Sequence, residues 1–531
     1  MACALCSTTS AQAVYLNPHG LGQVLVFPYY TANSGNGTLI AIANTTAAGK
    51  AVKLRFHEGY DGRGVLDFNV YLAPHARWSG EVVNRDGNAD SQASIITYDT
   101  NCTVPAFQAG ANGQRYLDFS DASYAGENTA QGPTGNSDGG PTTPDRTREG
   151  HFDVIEMGEV TNASHGTLTA ILPNGDAPAN CAQLVGAWAD GGYWTQNPGT
   201  DLSPPTGGLD GAESIIDVAQ GLMYSAIPAA IDDFSSAVQH TAPGDAAPDL
   251  NTASASAGGV VSALVPIGGR LIELDYANPV DAISALFMTD TLYNEFDIDS
   301  ALAARTDWVV TAPTKRFYVD PNYVGDTGAP PFDHAFASGY TVGTVTTTDG
   351  TIIRQFASAF PYACVKFDAR MHARDGTEYQ MVRNGPDGLV ASAAMQPCLE
   401  TSVLPFELQS SSASPFPVPL SALGSALTNA SDPTGDTGRV LDDLADIPFT
   451  SGTLSLDLAH DGSTYVIGTP NQIQQRLTPA TNGDVLVGLP VIGFVAFDYV
   501  NGAIEQGVLA NYSGQYPHRA SVTCQHGASG C

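Results

Sequence analysis

Residues 51–56 (AVKLRF) and 65–72 (VLDFNVYL) carry the pattern that decides the fold. In both stretches apolar and polar side chains alternate, which predicts strands with one face in a core and the other face in water. Further strand-like stretches lie nearby at intervals of about 10–13 residues, at 23–27, 38–43 and 78–83. Short strands at this spacing predict a mostly β protein that opens with an immunoglobulin-like β-sandwich over residues 14–120.

Composition favours the same fold class. Of 531 residues, 43% are apolar, 56 are Gly and 34 are Pro, which favours β architecture with a few short helices and long Gly- and Pro-rich loops. No stretch reaches the roughly 18–20 consecutive apolar residues that a membrane-spanning helix needs. The longest apolar run, 485–497, is interpreted as a buried strand pair or a bulged strand.

The remaining chain divides where its composition changes. Residues 121–150 are rich in Gly, Pro, Ser, Thr and Asn, with almost nothing to bury, which predicts a surface loop or linker. We expect a mixed β domain with short helices at 151–305 and a β-rich C-terminal domain at 306–531, in which residues 316–319 form a strand.

Two segments of the middle domain have helical spacing. The apolar residues of 212–234 fit one or two short helices broken near Pro228. A second helix would begin at Asn278 and Pro279, since Asn is a good N-cap and Pro suits the first turn. A strand is the alternative for this second segment.

The charge balance is strongly acidic. The net charge is −33, and Lys occurs at four positions only: Lys50, Lys53, Lys315 and Lys366. Such a surface repels phosphate backbones and anionic headgroups, which argues against nucleic-acid and peripheral membrane partners. A solvated acidic surface with no specific partner explains the charge equally well.

The cysteines predict an oxidising compartment. Three pairs are neighbours in sequence, which suggests local disulfides, although six cysteines allow fifteen pairings; the pairs are Cys102/Cys181, Cys364/Cys398 and Cys524/Cys531. Dispersed, even-numbered cysteines are typical of exported proteins. Cys3 and Cys6 form C-x-x-C, which fits a redox dithiol or structural cysteines, but we interpret residues 1–13 as a signal-peptide remnant cleaved after Ala13.

Four fragments resemble a family of exported proteins of Gram-negative bacteria, usually labelled only "cell surface" protein: LNPHGLGQVLVFPYYT (16–31), FDVIEMGEVT (152–161), TDWVVTAPTKRFYVD (306–320) and GLPVIGFVAFDYVNG (488–502). The resemblance is scattered from Tyr15 to His518. It implies export, a β-rich fold and cysteines near Cys102, Cys181, Cys364 and Cys398. It implies no activity and no catalytic residues.

Motifs for chemistry are weak. The sequence has no G-x-S-x-G elbow, no dinucleotide fingerprint and no Walker A motif. His57 and Glu58 begin like H-E-x-x-H, but Asp61 stands in the second histidine position, and a charged strand end is the simpler interpretation. We therefore predict no catalytic residues and no bound organic cofactor. Carboxylate pairs of a glycoside hydrolase cannot be chosen among 54 acidic residues.

Calcium is the one metal that the sequence suggests. Asp86, Asn88 and Asp90 have the D-x-N-x-D start of a calcium loop, without the Gly and Glu that complete one. A second acidic loop contains Asp432, Asp436, Asp442 and Asp443. Plain turn chemistry is the alternative for both.

These observations favour an exported structural or adhesive surface protein over an enzyme. It would be a subunit of a filament or layer, or a module that binds another surface component. An exposed strand beginning at Val14 would join subunits by strand addition. The alternative function is a secreted carbohydrate-active enzyme on a β scaffold.

Overall fold

The computed structural model describes residues 13–129, 132–256, 258–324, 328–332, 341–346, 352–357, 365, 368–380, 382–384, 390–392, 398–406, 421–427, 449–459, 465–466, 469–470, 475–505, 508–526 and 529–531. It is mostly β, with 47% strand and 11% helix, which confirms the mostly β part of the predicted fold class. Residues 1–12, with Cys3 and Cys6, lie outside the described residues, as does the acidic loop of Asp432, Asp436, Asp442 and Asp443.

The first half of the chain contains these elements: β1 (Ala13–Leu16), β2 (Val24–Thr31), β3 (Asn36–Asn44), β4 (Gly49–Glu58), β5 (Gly64–Leu72), β6 (Arg77–Val83), β7 (Ser94–Thr97), β8 (Cys102–Val104), β9 (Gln108–Ala109), β10 (Arg115–Asp118), β11 (Gly126–Thr129), β12 (Gly132–Gly135), β13 (Glu149–Val160), α1 (Thr167–Ile171), β14 (Pro173–Asn174), β15 (Ala177–Pro178), α2 (Cys181–Ala187), α3 (Tyr193–Gln196), β16 (Leu202–Ser203), β17 (Leu209–Asp217), β18 (Leu222–Ala226), β19 (Ala229–Asp232), β20 (Val261–Ile267) and β21 (Arg270–Tyr276). Short 3₁₀ turns occur at Ala111–Gly113 and Pro144–Arg148.

The second half contains these elements: α4 (Pro279–Phe287), β22 (Met288–Thr289), β23 (Thr291–Asp297), β24 (Ala304–Thr311), α5 (Arg316–Val319), α6 (Pro321–Val324), β25 (Thr341–Thr346), β26 (Ile352–Ala357), β27 (Asp368–Ala373), β28 (Glu378–Gln380), β29 (Val382–Asn384), β30 (Val390–Ser392), β31 (Thr401–Pro405), β32 (Ser451–Asp457), β33 (Tyr465–Val466), β34 (Thr469–Pro470), β35 (Val485–Val487), β36 (Leu489–Pro490), β37 (Ile492–Glu505), β38 (Val508–Pro517), β39 (Arg519–Ser521), β40 (Thr523–His526) and β41 (Ser529–Gly530).

Two large sheets form the first half. One has the order β21-β20-β1-β19-β2-β13-β4-β5-β8, with β16 paired to β13, and the other has the order β18-β17-β3-β6-β7-β10-β9. Between them lies a core of aliphatic and aromatic side chains that includes Phe27, Leu54, Phe68 and Trp78. This pair of sheets is larger than an immunoglobulin domain of seven to nine strands, and the immunoglobulin-like arrangement is not confirmed.

The sheets do not follow the predicted domain boundaries at 120 and 150. Strand β13 lies between β2 and β4, with Val154 opposite both Leu25 and Leu54. Strand β17 pairs along its whole length with β3, from the Leu209–Asn44 pair to the Asp217–Asn36 pair. Strands on both sides of the predicted linker therefore share the same two sheets.

The basic face of β4 is the first difference from the sequence analysis. The predicted alternation is present, but Lys53 and Arg55 are 0% and 6% exposed instead of facing water. A strap at residues 241–249 covers them with backbone carbonyl oxygens. Lys53 Nζ donates to the oxygens of Ala242 and Ala247 at 3.0 and 2.9 Å, and Arg55 donates to that of Pro248 at 2.8 Å.

The predicted loop at 121–150 also has a buried part. It carries the β11–β12 hairpin and buries Tyr124, Asp138 and Arg146. The interpretation of this segment as having almost nothing to bury is therefore wrong, because its charged residues pair with each other below the surface.

Helix predictions have mixed outcomes. Helix α4 forms where Asn278 and Pro279 predict it, and its apolar side is buried. The helices predicted within 212–234 are wrong, since this stretch forms β17, β18 and β19. The strand predicted at 316–319 is wrong as well, since these residues form the single-turn helix α5.

Two smaller sheets build the second half. A five-stranded sheet has the order β28-β27-β32-β23-β39, and a four-stranded sheet has the order β31-β24-β37-β38. A core containing Ile283, Trp308 and Leu454 joins them to α4 and to Val24 and Val26 of the ten-stranded sheet. None of the helices in the described ranges is long and apolar enough to cross a membrane.

Two of the predicted disulfides are confirmed, Cys102–Cys181 and Cys524–Cys531. Cys398 is disulfide-bonded too, while its predicted partner Cys364 lies outside the described residues.

Candidate binding site

An open groove of about 530 Å³ lies between the two sheets of the second half. Strands β23 and β32, with Arg374 just after β27, form one wall, and strands β37 and β38 form the other. Its volume is within the range of about 300–1,000 Å³ usual for small-ligand sites. The two walls differ in chemistry, one being polar and the other aromatic.

The aromatic wall follows from the pairing of β37 with β38. Tyr499 lies opposite Tyr512, and Phe497 lies opposite Gly514. Tyr512, Gly514 and Tyr516 are two residues apart on β38, so their side-chain positions share one face. Tyr512 and Tyr516 are 65% and 56% exposed, although both belong to a paired strand.

Gly514 separates the two exposed rings. A Cβ atom built at this position would lie 3.8 Å from the Tyr516 ring, an ordinary contact, so backbone strain does not require glycine here. The missing side chain instead leaves space between Tyr512 and Tyr516. Below them, Phe497 packs edge-on against Tyr516 with ring centroids 6.2 Å apart, which holds that ring in place.

The polar wall carries two carboxylates and one guanidinium. Glu295 and Asp297 are two residues apart on β23 and share a face, opposite Thr453 and Ser451 of β32. Arg374 NH2 lies 3.5 Å from Asp297 Oδ2, and its side chain is 73% exposed. Burial, together with Asp297 and Glu295, raises the pKa of Tyr499, so its hydroxyl stays a hydrogen-bond donor at neutral pH.

The groove therefore offers flat apolar rings on one side and hydrogen-bonding groups on the other. Aromatic rings with a few placed polar groups are the usual composition of a ligand site. Comparison with known proteins gives no match. No family model, curated protein or solved structure is significantly similar to the chain. The chemistry of the groove must be inferred from its own residues.

The predicted calcium residues lie elsewhere, in the exposed turn between β6 and β7. Asn84 organises this turn: its Oδ1 accepts the Gly87 N–H at 3.1 Å, and its amide donates to the Asn88 carbonyl oxygen at 2.9 Å. Asp86 Oδ1 lies 3.7 Å from Arg85 NH2. Turn chemistry accounts for these contacts, and calcium binding by Asp86, Asn88 and Asp90 stays a prediction.

His57 and Glu58 lie on opposite faces of β4, as the strand alternation predicts, but both are buried. His57 Nε2 lies 3.0 Å from Asp153 Oδ2, and its ring stacks on that of His151 at 4.9 Å. Burial lowers the pKa of both histidines well below the usual range, so both are neutral. They form part of a buried polar layer and have no access from solvent.

Glu58 belongs to a second buried cluster centred on Arg146. Arg146 Nε donates to Glu58 Oε2 at 2.8 Å, and its two terminal nitrogens donate to both oxygens of Asp138 at 2.9 and 2.7 Å. Asp61 Oδ2 lies 3.5 Å from the same guanidinium. All these side chains are at most 3% exposed, so the cluster stabilises the fold and is not a site for a ligand.

Sequence reasoning missed the groove, and three other large aromatic residues do not offer a stacking surface. Tyr29 and Tyr30 are fully buried, and Trp194 is 0% exposed. The signal for the groove was present in NYSGQYP (511–517), where two tyrosines alternate with glycine on a strand. It could be recognised only once that strand was known to lie beside Glu295 and Asp297.

Proposed function

We propose that this protein is an exported adhesive surface protein that binds neutral polysaccharide in the groove of Tyr512 and Tyr516. The observation that carries this proposal is the pair of exposed tyrosine rings, separated by Gly514, in a groove that Glu295 and Asp297 also line. A pyranose ring has an apolar face of C–H groups and a rim of hydroxyl groups. The apolar face can lie on a tyrosine ring, while the rim hydroxyls donate to carboxylates.

The charge of the groove favours a neutral glycan. Two carboxylates and one guanidinium line it, and the whole chain carries a net charge of −33. Of the four lysines, Lys50, Lys53 and Lys315 are buried and do not offset this charge, and Lys366 lies outside the described residues. A polysaccharide of uronic acids or sulfated sugars would be repelled.

Export is part of the proposal and has two supports. The disulfides Cys102–Cys181 and Cys524–Cys531 are of a kind that persists in oxidising compartments. The four fragments that resemble exported surface proteins point to the same location. The proposed adhesive role rests on the open groove of a β scaffold. It does not require the strands to have an immunoglobulin-like order.

Binding is favoured over hydrolysis by the placement of the carboxylates. Glu295 and Asp297 are about 7 Å apart along one strand, which is a separation used by glycoside hydrolases. They lie side by side on a single wall, however, whereas the acid and the base or nucleophile must flank the scissile bond. Asp297 is also engaged by the Asp299 N–H at 3.1 Å and by Arg374.

Assembly by strand addition receives less support. The strand that begins near Val14 was expected to be exposed, but β1 pairs with β19 on one side and β20 on the other. Val14 is 1% exposed. A donor strand with both edges already paired offers no free edge to a second copy, so we do not include filament formation in the proposal.

A glycan array tests the proposal. We expect the labelled wild-type protein to bind neutral hexose polymers and not uronate or sulfated polymers. Because no net charge on the ligand is involved, the affinity should change by less than about twofold between about 0.05 and 0.5 M NaCl. No binding to any neutral glycan would contradict the proposal, as would release of new reducing ends from bound glycan, which would indicate a hydrolase.

Filling the groove should weaken glycan binding without removing an aromatic ring. Gly514→Leu places a branched side chain between Tyr512 and Tyr516, where the Cβ atom itself makes only an ordinary contact. We expect the variant to lose at least about tenfold in affinity for the selected glycan. Unchanged affinity in a variant whose circular dichroism matches the wild type would place the binding site elsewhere.

A further inference from the structure

Four side chains with metal-binding chemistry share one face of the small sheet β35-β40-β41. The register places Leu486 opposite Cys524 and Val485 opposite Gln525, so Asp484 continues the pairing opposite His526. On the other side Gln525 lies opposite Gly530, so Cys531 continues opposite Cys524. Residues directly opposite one another, and residues two apart on one strand, project to the same face.

The positions of Asp484, Cys524 and Cys531 agree with this register, whereas His526 lies outside the converging group and reaches it only through its contact with Asp484. One carboxylate oxygen of Asp484 and the sulfur atoms of Cys524 and Cys531 lie within 4.8 Å of one another. Among the His, Cys, Asp and Glu side chains of the described residues, no other three ligand atoms converge this closely. His526 Nδ1 contacts Asp484 Oδ1, and the Asn482 amide donates to Asp484 Oδ2 at 2.7 Å.

We propose that reduction of the Cys524–Cys531 disulfide converts this face into a Zn²⁺ site. A dithiol supplies two electrons and two protons, the S–S bond breaks, and two thiols form. Zn²⁺ then displaces the two thiol protons and binds both thiolates, the Asp484 carboxylate and the His526 imidazole. Transfer of two electrons from the two thiolates to a small-molecule disulfide, which takes up two protons and becomes two thiols, restores the Cys524–Cys531 bond and releases Zn²⁺.

The ligand chemistry favours zinc, and it means that the site holds either the disulfide or the metal ion but not both. Two thiolates, an imidazole and a carboxylate form a four-coordinate set that suits Zn²⁺. A disulfide sulfur carries no thiolate charge and is not such a ligand. His526 is exposed, with 53% of its side chain accessible, so a metal ion can reach the site. Cys102–Cys181, by contrast, is a plain cross-link, and no third ligand in the described part of the chain lies at this distance from it.

Metal content of the full chain tests this proposal. The cysteines of the N-terminal C-x-x-C are replaced first, by Cys3→Ser and Cys6→Ser, because they can bind zinc themselves. This parent protein is reduced with a phosphine, exposed to Zn²⁺, desalted and measured by mass spectrometry of the metal. We expect Zn²⁺ uptake after reduction and none in the oxidised protein.

Variants at the site identify which residues hold the metal. Asp484→Asn keeps both cysteines and should lower Zn²⁺ affinity by about 10- to 100-fold, as should His526→Ala. Cys524→Ser should remove the uptake that depends on this site, and Cys102→Ser should keep it. Equal uptake by the parent and by Asp484→Asn and Cys524→Ser would overturn the proposal, as would a reduced parent that binds no zinc.

Discussion

Replacing Arg146 with methionine should destabilise the folded protein by at least about 3–5 kcal/mol. The guanidinium is fully buried and pairs with Glu58, Asp61 and Asp138, and its plane also lies 4.3 Å from the Tyr124 ring centroid. Methionine fills most of the volume but leaves the carboxylates of Glu58 and Asp138 in the interior without their main counter-ion. Thermal unfolding followed by circular dichroism measures the loss.

The matched control for this prediction is Arg85→Met. Arg85 also contacts two carboxylates, Asp118 at 3.4 Å and Asp86 at 3.7 Å, and lies 3.9 Å from the Tyr116 ring centroid. Its side chain is one-third exposed, and pairs of this kind contribute less than about 1 kcal/mol. Similar losses in the two variants would contradict the role assigned to burial.

Replacing Glu213 with glutamine should stabilise the protein near pH 8, because it removes a carboxyl group whose ionised form is disfavoured by burial. Glu213 is buried on β17, and neither carboxylate oxygen has a hydrogen-bond partner in the described part of the chain. Burial raises the pKa of this carboxyl well above its usual range. Glutamine has nearly the same shape and carries no charge, so the cost of burying an ionised group disappears.

The pH dependence of this effect has a defined sign. Below about pH 4 the carboxyl is protonated in both the folded and the unfolded protein, so the variant gains little. As the pH rises above the usual Glu pKa, the unfolded chain loses the proton first, and wild-type stability falls. The advantage of Glu213→Gln should therefore grow from pH 4 to pH 8. Glu273→Gln, at an exposed position on β21, should show no such growth.

Strand periodicity predicted β4 and β5 because their alternation follows directly from the two-residue repeat of a strand. It could not predict what covers the polar face. Lys53 and Arg55 were expected in water, but a strap nearly 200 residues later in the chain supplies their hydrogen-bond acceptors. Contacts between residues so far apart in the chain depend on the tertiary structure. The alternation of apolar and polar residues within a strand cannot predict them.

The error at 212–234 has a local cause. Its apolar residues fit both a helical and a strand period, and the spacing of Gly211, Glu213 and Ile215 on the buried face of β17 decides for the strand. Glu213 is buried on this face, but in the sequence a glutamate is taken for a surface residue. It therefore interrupts the strand alternation of apolar residues. Because this polar residue occupies a core position, the spacing of apolar residues led to a wrong helix prediction.

The groove was beyond sequence reasoning for a different reason. Its residues come from stretches near 295, 374, 452, 498 and 514, and nothing in the sequence states that these strands meet. Within each strand the exposed tyrosines and acids look like ordinary surface residues. Only the pairing of β37 with β38, and the proximity of β23, places Tyr512 and Tyr516 in the same groove as Glu295.

Calorimetric titration of the array-selected neutral glycan tests the central claim most directly. The comparison is between Tyr512→Ala/Tyr516→Ala and Tyr98→Ala, which removes a tyrosine that is 67% exposed outside the groove. We predict that the double variant loses at least about a hundredfold in affinity, corresponding to about 2.7 kcal/mol, while Tyr98→Ala binds like the wild type. Equal affinity of the double variant and the wild type would contradict glycan binding in this groove.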